Sequence, residues 1–63
     1  MPTMEDDQGN RVEIDYDPEH DMTQWETYDS DGNQTGGGQS GGDRVDEVTN
    51  EYYDKDYHDV SDS

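Results

Sequence analysis

The step from Asp31 to Gly32 is the feature of this sequence best suited to covalent chemistry, and the chain has no other Asp-Gly step. When an aspartyl carboxyl group is esterified, the next backbone nitrogen can attack it and close a five-membered succinimide ring. Glycine favours this closure because it has no Cβ to block the approach. Residues 29–33 are also rich in turn formers. The dipeptide therefore indicates either a modification site or a plain β-turn.

A second pattern of chemical interest is the acidic stretch between residues 15 and 26, which has the ligand spacing of an EF-hand calcium loop. The six loop positions that supply ligands fall on Asp15, Asp17, Glu19, Asp21, Thr23 and Glu26. His20 occupies the position that needs glycine, however, and Pro18 lies inside the loop. A chain this rich in acid produces such spacing by chance. We therefore predict no metal site and no cofactor bound by this chain.

The composition argues against catalysis and against an independent fold. The chain has 63 residues, with 19 Asp and Glu against 3 Lys and Arg, and a formal net charge of -16. Leu and Phe are absent, and low aliphatic content with high net charge is typical of disorder. No nucleophile is paired with a base, and no phosphate-binding glycine motif occurs. We predict a protein that is not an enzyme and is largely disordered alone.

Changes in composition divide the chain into four segments. They are an acidic tail over 1–10, a hairpin and Asp-Gly turn over 11–35, a Gly-rich tether over 36–42, and an acidic amphipathic helix segment over 43–63. Hydrophobic and acidic residues alternate after Arg11, which is typical of a half-buried strand. We predict a short β-hairpin over about 11–28 and a helix over about 44–58. Both are expected to form only on binding, because a lone hairpin is marginal in water.

The charge also indicates the kind of partner. Phosphates of nucleic acids and anionic membranes repel such a chain, so we predict no direct nucleic-acid binding, no membrane binding, and a basic protein surface as the partner. The N-terminal residues contain neither a cationic region nor an apolar run, which predicts a cytoplasmic location. Aromatic and aliphatic side chains are common interface anchors. The predicted partner-binding residues are Tyr16, Trp25, Tyr28, Val45, Val48, Tyr52, Tyr53 and Tyr57.

Two short motifs resemble a family of modified peptides. The run Tyr16-Asp17-Pro18-Glu19, followed by Asp29-Ser30-Asp31-Gly32, is similar to segments of imiditide precursors, which are ribosomally made, post-translationally modified peptides. In that family a homologue of protein isoaspartyl O-methyltransferase uses S-adenosylmethionine to esterify one Asp, and the ester closes to an aspartimide. The resemblance implies that Asp31 is modified, that Gly32 supplies the attacking amide, and that a tailoring O-methyltransferase is the basic partner. The related graspetides share these motifs, but their Thr-rich core is missing here.

The sequence thus predicts one function and leaves two alternatives. The first is a precursor peptide that is the substrate of such a methyltransferase. The second is an acidic DNA mimic that inhibits a basic nucleic-acid-binding protein by occupying its phosphate-binding track. The third is an acidic adaptor that folds on its partner.

Overall fold

The computed structural model describes residues 2–60, which form one five-stranded antiparallel sheet and one helix. In chain order the elements are β1 (Thr3–Glu5), β2 (Arg11–Asp17), β3 (Met22–Tyr28), β4 (Gln34–Gly41), α1 (Val45–Tyr53) and β5 (His58–Asp59). The strands lie in the order β4-β3-β2-β1-β5. Strands β1 to β4 therefore form a meander, and after α1 the chain returns to pair β5 with β1.

The prediction that the isolated chain is largely disordered is wrong. Its radius of gyration is 11.3 Å, close to the value of about 11 Å for a compact chain of this length and far below about 24 Å for an unfolded one. Met4, Val12 and Ile14 are fully buried, and the core continues to Val48 and Tyr52 of α1. The prediction of disorder rested on the low combined content of Leu, Ile, Val and Phe. Met and Tyr side chains supply the missing apolar volume, and the few aliphatic residues are concentrated on one side of the sheet.

The segment predicted as a Gly-rich tether is also ordered, because residues 34–41 form the edge strand β4. This strand pairs with β3 from Gln34 to Gly41, with one irregularity in the register between Thr27 and Tyr28. A Cβ built on Gly38 would lie 2.5 Å from Cζ2 of Trp25, so the indole of Trp25 occupies the space that a side chain on Gly38 would fill. Glycine here makes room for an aromatic ring on the neighbouring strand, and the tether prediction missed that cross-strand contact.

The hairpin that was expected only on binding is present without a partner. Strands β2 and β3 pair from Arg11 opposite Tyr28 to Asp17 opposite Met22, with the turn between them at residues 18–21. Both strands have a further neighbour, β1 on one side and β4 on the other. A two-stranded hairpin is marginal alone, whereas a sheet of three or more strands with a covered apolar face is not.

The predicted acidic tail also contributes to the fold. Residue 1 lies outside the described residues, but Thr3–Glu5 form β1 and Met4 is completely buried. The turn after β1 is closed by Asp6, whose carboxylate accepts hydrogen bonds from the backbone amides of Gln8 and Asn10. The side-chain amide of Asn10 also donates to this carboxylate and lowers the pKa of Asp6. One apolar residue and a specific turn thus hold this acidic segment in the sheet.

Helix α1 is shorter than the helix predicted over 44–58. It ends at Tyr53, where the amide of Tyr57 donates to the carbonyl of Tyr52 at 3.0 Å and the amide of Asp56 donates to that of Tyr53 at 3.1 Å. Asp56 has a φ of 68°, and the rings of Tyr52 and Tyr57 meet edge to face at 5.0 Å. These contacts define a Schellman motif. It turns the chain back to form β5, and residues 61–63 of the predicted helix segment lie outside the described residues.

Replacing Asp56 with glycine is expected to stabilise the protein by about 1 kcal/mol. The left-handed backbone at this position strains any side chain with a Cβ, and glycine is the usual residue there. The change also removes a negative charge close to the negative end of the helix dipole. Thermal unfolding followed by circular dichroism measures the effect. Asp54→Gly is the control, because Asp54 has a helical φ of -66° and glycine there should not stabilise. Equal effects of both changes would contradict the interpretation.

Candidate functional site

The two sides of the sheet differ sharply in character. One side packs against α1 and carries the core. We name the other side the open face, since no element of residues 2–60 covers it. Residues directly paired across an antiparallel ladder point to the same side. The strand pairing therefore places on the open face Thr3, Glu5, Arg11, Glu13, Asp15, Asp17, Met22, Gln24, Glu26, Tyr28, Gln34 and Gln39.

The open face is strongly acidic, with five carboxylates and one guanidinium among those side chains. Glu13, Asp15 and Asp17 form a row along β2 at intervals of about 6.7 Å, the separation of alternate residues in a strand. Glu26 lies directly opposite Glu13. Like charges in that arrangement destabilise a sheet, and Arg11 offsets Glu13 only partly through an exposed contact of 3.6 Å. The pair of Glu13 and Glu26 therefore does not stabilise the folded sheet.

Hydrogen bonds hold one carboxylate of the open face, Glu26, and one in the turn next to it, Asp21. The hydroxyl of Tyr28 donates to the Glu26 carboxylate, and this bond raises the pKa of Tyr28. The hydroxyl of Tyr16 donates to Asp21 at 2.7 Å, which likewise raises the pKa of Tyr16. Next to Glu26 a shallow groove of about 160 Å³ has Glu13 and Asp15 on its walls. The face thus presents negative charge in a defined pattern.

The predicted modification site lies in the hairpin loop between β3 and β4. Asp31 is exposed, and its backbone amide donates to the carboxylate of Asp29 at 3.0 Å. The amide of Gly32 donates to the carbonyl of Asp29 at 3.0 Å, and Gly32 has a φ of 87° that suits glycine. The nitrogen that would attack the Asp31 carboxyl is therefore engaged in the turn. Asp31 is accessible to an enzyme, but ring closure requires this turn to open.

The structure separates the predicted partner-binding residues into two groups. Val48 and Tyr52 are core residues, and Trp25, Val45 and Tyr57 pack against that core. Packing in or against the core explains why these five positions carry apolar or aromatic residues, and it requires no partner. Of the others, Tyr53 is 48% exposed, while Tyr16 and Tyr28 are half-buried with hydroxyls bonded to carboxylates. Most of these residues thus contribute to packing of the fold, and their binding to a partner stays a prediction.

The calcium-loop spacing does not produce an EF-hand. Its six positions are spread over β2, a tight turn and β3, and Thr23 is buried with its hydroxyl donating to the Gly42 carbonyl at 2.8 Å. At the turn, ligand atoms of Asp17, Glu19 and His20 lie within 4.8 Å of one another. The Asp17 carboxylate accepts the backbone amide of Glu19 and contacts His20 at 2.7 Å, which lowers the pKa of Asp17. These contacts are those of an exposed turn.

The carboxylates Glu13, Asp15 and Glu26 are absent from the residues predicted to bind a partner. A signal was present in β2, where the acidic residues occupy every second position and so had to share one face. The position of Glu26 beside Glu13 could not be read in the same way, because it depends on the register between β2 and β3.

Comparison with known proteins assigns no family, since no protein family, no curated protein and no solved structure matches this chain. Among the described residues, no helix has the length and apolar character needed to cross a membrane.

Proposed function

We propose that this protein binds the cationic surface of a nucleic-acid-binding protein and competes there with nucleic acid. The observation that carries the proposal is the open face, on which a folded sheet holds five carboxylates against one guanidinium. A mimic of nucleic acid needs negative charges at fixed positions, and a β-ladder with a packed core supplies that rigidity. The protein acts as an inhibitor or regulator in this role and catalyses nothing.

The electrostatics support rapid and competitive association. With a net charge of -16, the protein is attracted to any surface that has evolved to bind phosphates, and this attraction raises the association rate. A basic surface that releases counterions on binding DNA does so on binding these carboxylates as well. The like-charge pair of Glu13 and Glu26 fits this role, since its repulsion is relieved when a cation of the partner lies between the two groups.

A displacement experiment tests the proposal. The immobilised protein captures candidate partners from its source cells, and each captured protein is then loaded with a fluorescein-labelled DNA duplex or RNA. Addition of the acidic protein in buffer of moderate ionic strength is expected to release the labelled nucleic acid, and fluorescence anisotropy measures the release. If no captured protein loses its nucleic acid, the proposal is wrong.

Two triple variants with equal charge identify the face that binds. Glu13→Gln, Asp15→Asn and Glu26→Gln together remove three carboxylates from the open face, and the inhibition constant is expected to rise by about tenfold or more. The control combines Asp46→Asn, Glu47→Gln and Glu51→Gln, which removes three exposed carboxylates from α1. The control should change the constant by less than about threefold. An equal rise of the inhibition constant in both variants would show that net charge alone matters. That result would overturn the assignment of the open face.

A second candidate function is that of a modification substrate, which the exposure of Asp31 at the tip of a hairpin loop favours. A methyltransferase would esterify the Asp31 carboxyl, and attack by the Gly32 nitrogen would then expel methanol and leave an aspartimide. Mass spectrometry after coexpression with an isoaspartyl methyltransferase homologue should show the net loss of one water from the chain. An unchanged mass, or the same loss from an Asp31→Ala variant, would rule this function out.

A further inference from the structure

The edge strand β4 is unprotected in ways that edge strands of natural sheets seldom are. It runs for eight residues and contains no charged residue and no proline, and among residues 2–60 it pairs only with β3. Natural proteins usually block such an edge with charge, proline or a covering element, because its free backbone groups pair with any extended chain. The opposite edge of this sheet, β5, has two residues, His58 and Asp59. In a chain this acidic, the uncharged edge is a conspicuous exception.

The register shows which backbone groups of β4 face outward. At the end of the β3–β4 ladder the amide of Gly42 donates to the carbonyl of Asp21 at 2.7 Å. Inward and outward residues alternate along an antiparallel strand. Counting back from Gly42, Gly38 directs its amide and carbonyl groups toward β3. Gly37 and Gln39 direct theirs to the open edge. The Gly41 carbonyl at this edge accepts a hydrogen bond from Nε of Arg44 at 2.9 Å, so the donors and acceptors offered to an added strand are those of Gly37 and Gln39.

A shallow, open depression of about 500 Å³ on the open face joins this edge to Glu26. Its lining includes Gln34, Gly37 and Gln39 of β4 and Glu26 of β3. Since Gly37 has no side chain, nothing on β4 separates the edge from Glu26 at this point. An added strand would lie about 10 Å from β3, or two strand spacings. A long cationic side chain and the Glu26 side chain together cover that distance.

We propose that the β4 edge binds an extended, basic segment of the partner as a sixth strand of the sheet. Its backbone pairs with Gly37 and Gln39, and a Lys or Arg opposite Gly37 extends over that glycine to Glu26. Charge complementarity identifies the occupant, because the depression contains the Glu26 carboxylate, which lies opposite Glu13, and a second copy of the chain would bring a further net charge of -16. This inference rests on the proposed function, since it names the structural mode by which a basic partner is recognised.

Synthetic peptides test strand addition without changing the protein. The probe is a fluorescent peptide of the repeat Lys-Thr-Lys-Val-Lys-Thr-Lys, whose lysines share one face when the peptide is extended. In the paired register the lysine amides face β4 and the Thr and Val amides face away. N-methylation of the lysine amides is expected to weaken binding by about tenfold or more. N-methylation of the Thr and Val amides is the matched control and should leave the affinity within about threefold.

The protein offers two further readouts in the same titration. Hydrogen exchange of the Gly37 and Gln39 amides should slow on peptide binding, which only pairing at this edge would cause. Glu26→Gln should weaken the peptide by about threefold or more, whereas Glu51→Gln, which removes an equal charge from α1, should leave it nearly unchanged.

The outcomes separate this inference from the proposed function. Strand addition is supported if hydrogen exchange slows at Gly37 and Gln39 and if only N-methylation of the lysine amides lowers the affinity of the peptide. If both methylated peptides bind like the parent and exchange is unchanged, strand addition is wrong while binding to a basic surface stands. If the peptide does not bind at all, this inference is overturned, and the displacement experiment decides the proposed function separately.

Discussion

Raising the KCl concentration from 0.1 M to 1 M is expected to raise the thermal unfolding midpoint of this protein by about 10 °C or more. The chain carries a net charge of -16 and is compact, with extents of 33 × 20 × 20 Å, so its carboxylates repel one another more strongly than in the expanded unfolded chain. Over this range the Debye length falls from about 10 Å to about 3 Å. The stability lost to repulsion is thus largely restored by salt.

Circular dichroism melts in a KCl series measure this effect. KCl serves better than sulfate, because sulfate strengthens apolar burial as well as screening charge. The open-face variant with Glu13→Gln, Asp15→Asn and Glu26→Gln supplies an internal control. It should melt at a higher temperature in low salt and respond less to added KCl. A midpoint that stays constant or falls with salt would show that charge repulsion does not limit the stability of this fold.

Replacing Gly38 with alanine is expected to destabilise the protein by about 2–3 kcal/mol, which for a domain of this size lowers the midpoint by about 10–20 °C. The added Cβ would lie 2.5 Å from Cζ2 and 2.8 Å from Cε2 of the Trp25 ring. The indole must therefore move, and because Trp25 packs against the core, its movement opens the apolar cluster. Thermal and urea unfolding both measure the loss.

Gly41 provides a matched control for this substitution. It lies in the same edge strand, and a Cβ built on it would meet nothing within 4 Å. Gly41→Ala is expected to stabilise slightly, by about 0.4–1 kcal/mol, since alanine restricts the unfolded chain without straining the folded one. Opposite signs for the two changes would confirm that the contact with Trp25, and not glycine content, decides the stability of β4. If Gly38→Ala leaves the unfolding midpoint unchanged, the Trp25 ring does not pack over Gly38.

Local sequence signals were informative where the structure depends on neighbours along the chain. The alternation after Arg11 placed Val12 and Ile14 on one side of a strand, and both are buried in β2. The turn formers at 29–33 do form the loop between β3 and β4, with Asp29 accepting the amides of Asp31 and Asn33. The apolar positions of the last segment also indicated a helix, although its end was misplaced because a Schellman motif centred on an aspartate gives a weak signal.

The errors concern contacts between distant segments. Nothing near Met4 indicated that it would fill the core, because its neighbours are acidic and its burial depends on pairing with Val12. The glycines of β4 are typical of a flexible linker until Trp25 is known to lie over Gly38. The same holds for the open face, since the approach of Glu26 to Glu13 is decided by strand register.

The amino-acid sequence alone determined the sign and size of the charge, the strand alternation in β2 and the position of the Asp-Gly turn, because these properties involve residues that are adjacent in the chain. Whether so acidic a chain folds was decided by tertiary contacts. A few side chains from β1, β2 and α1 are buried together in one cluster. Their packing stabilises the fold cooperatively, which a count of residue types does not predict. The same sheet then holds the carboxylates in a fixed pattern and leaves β4 open at its edge.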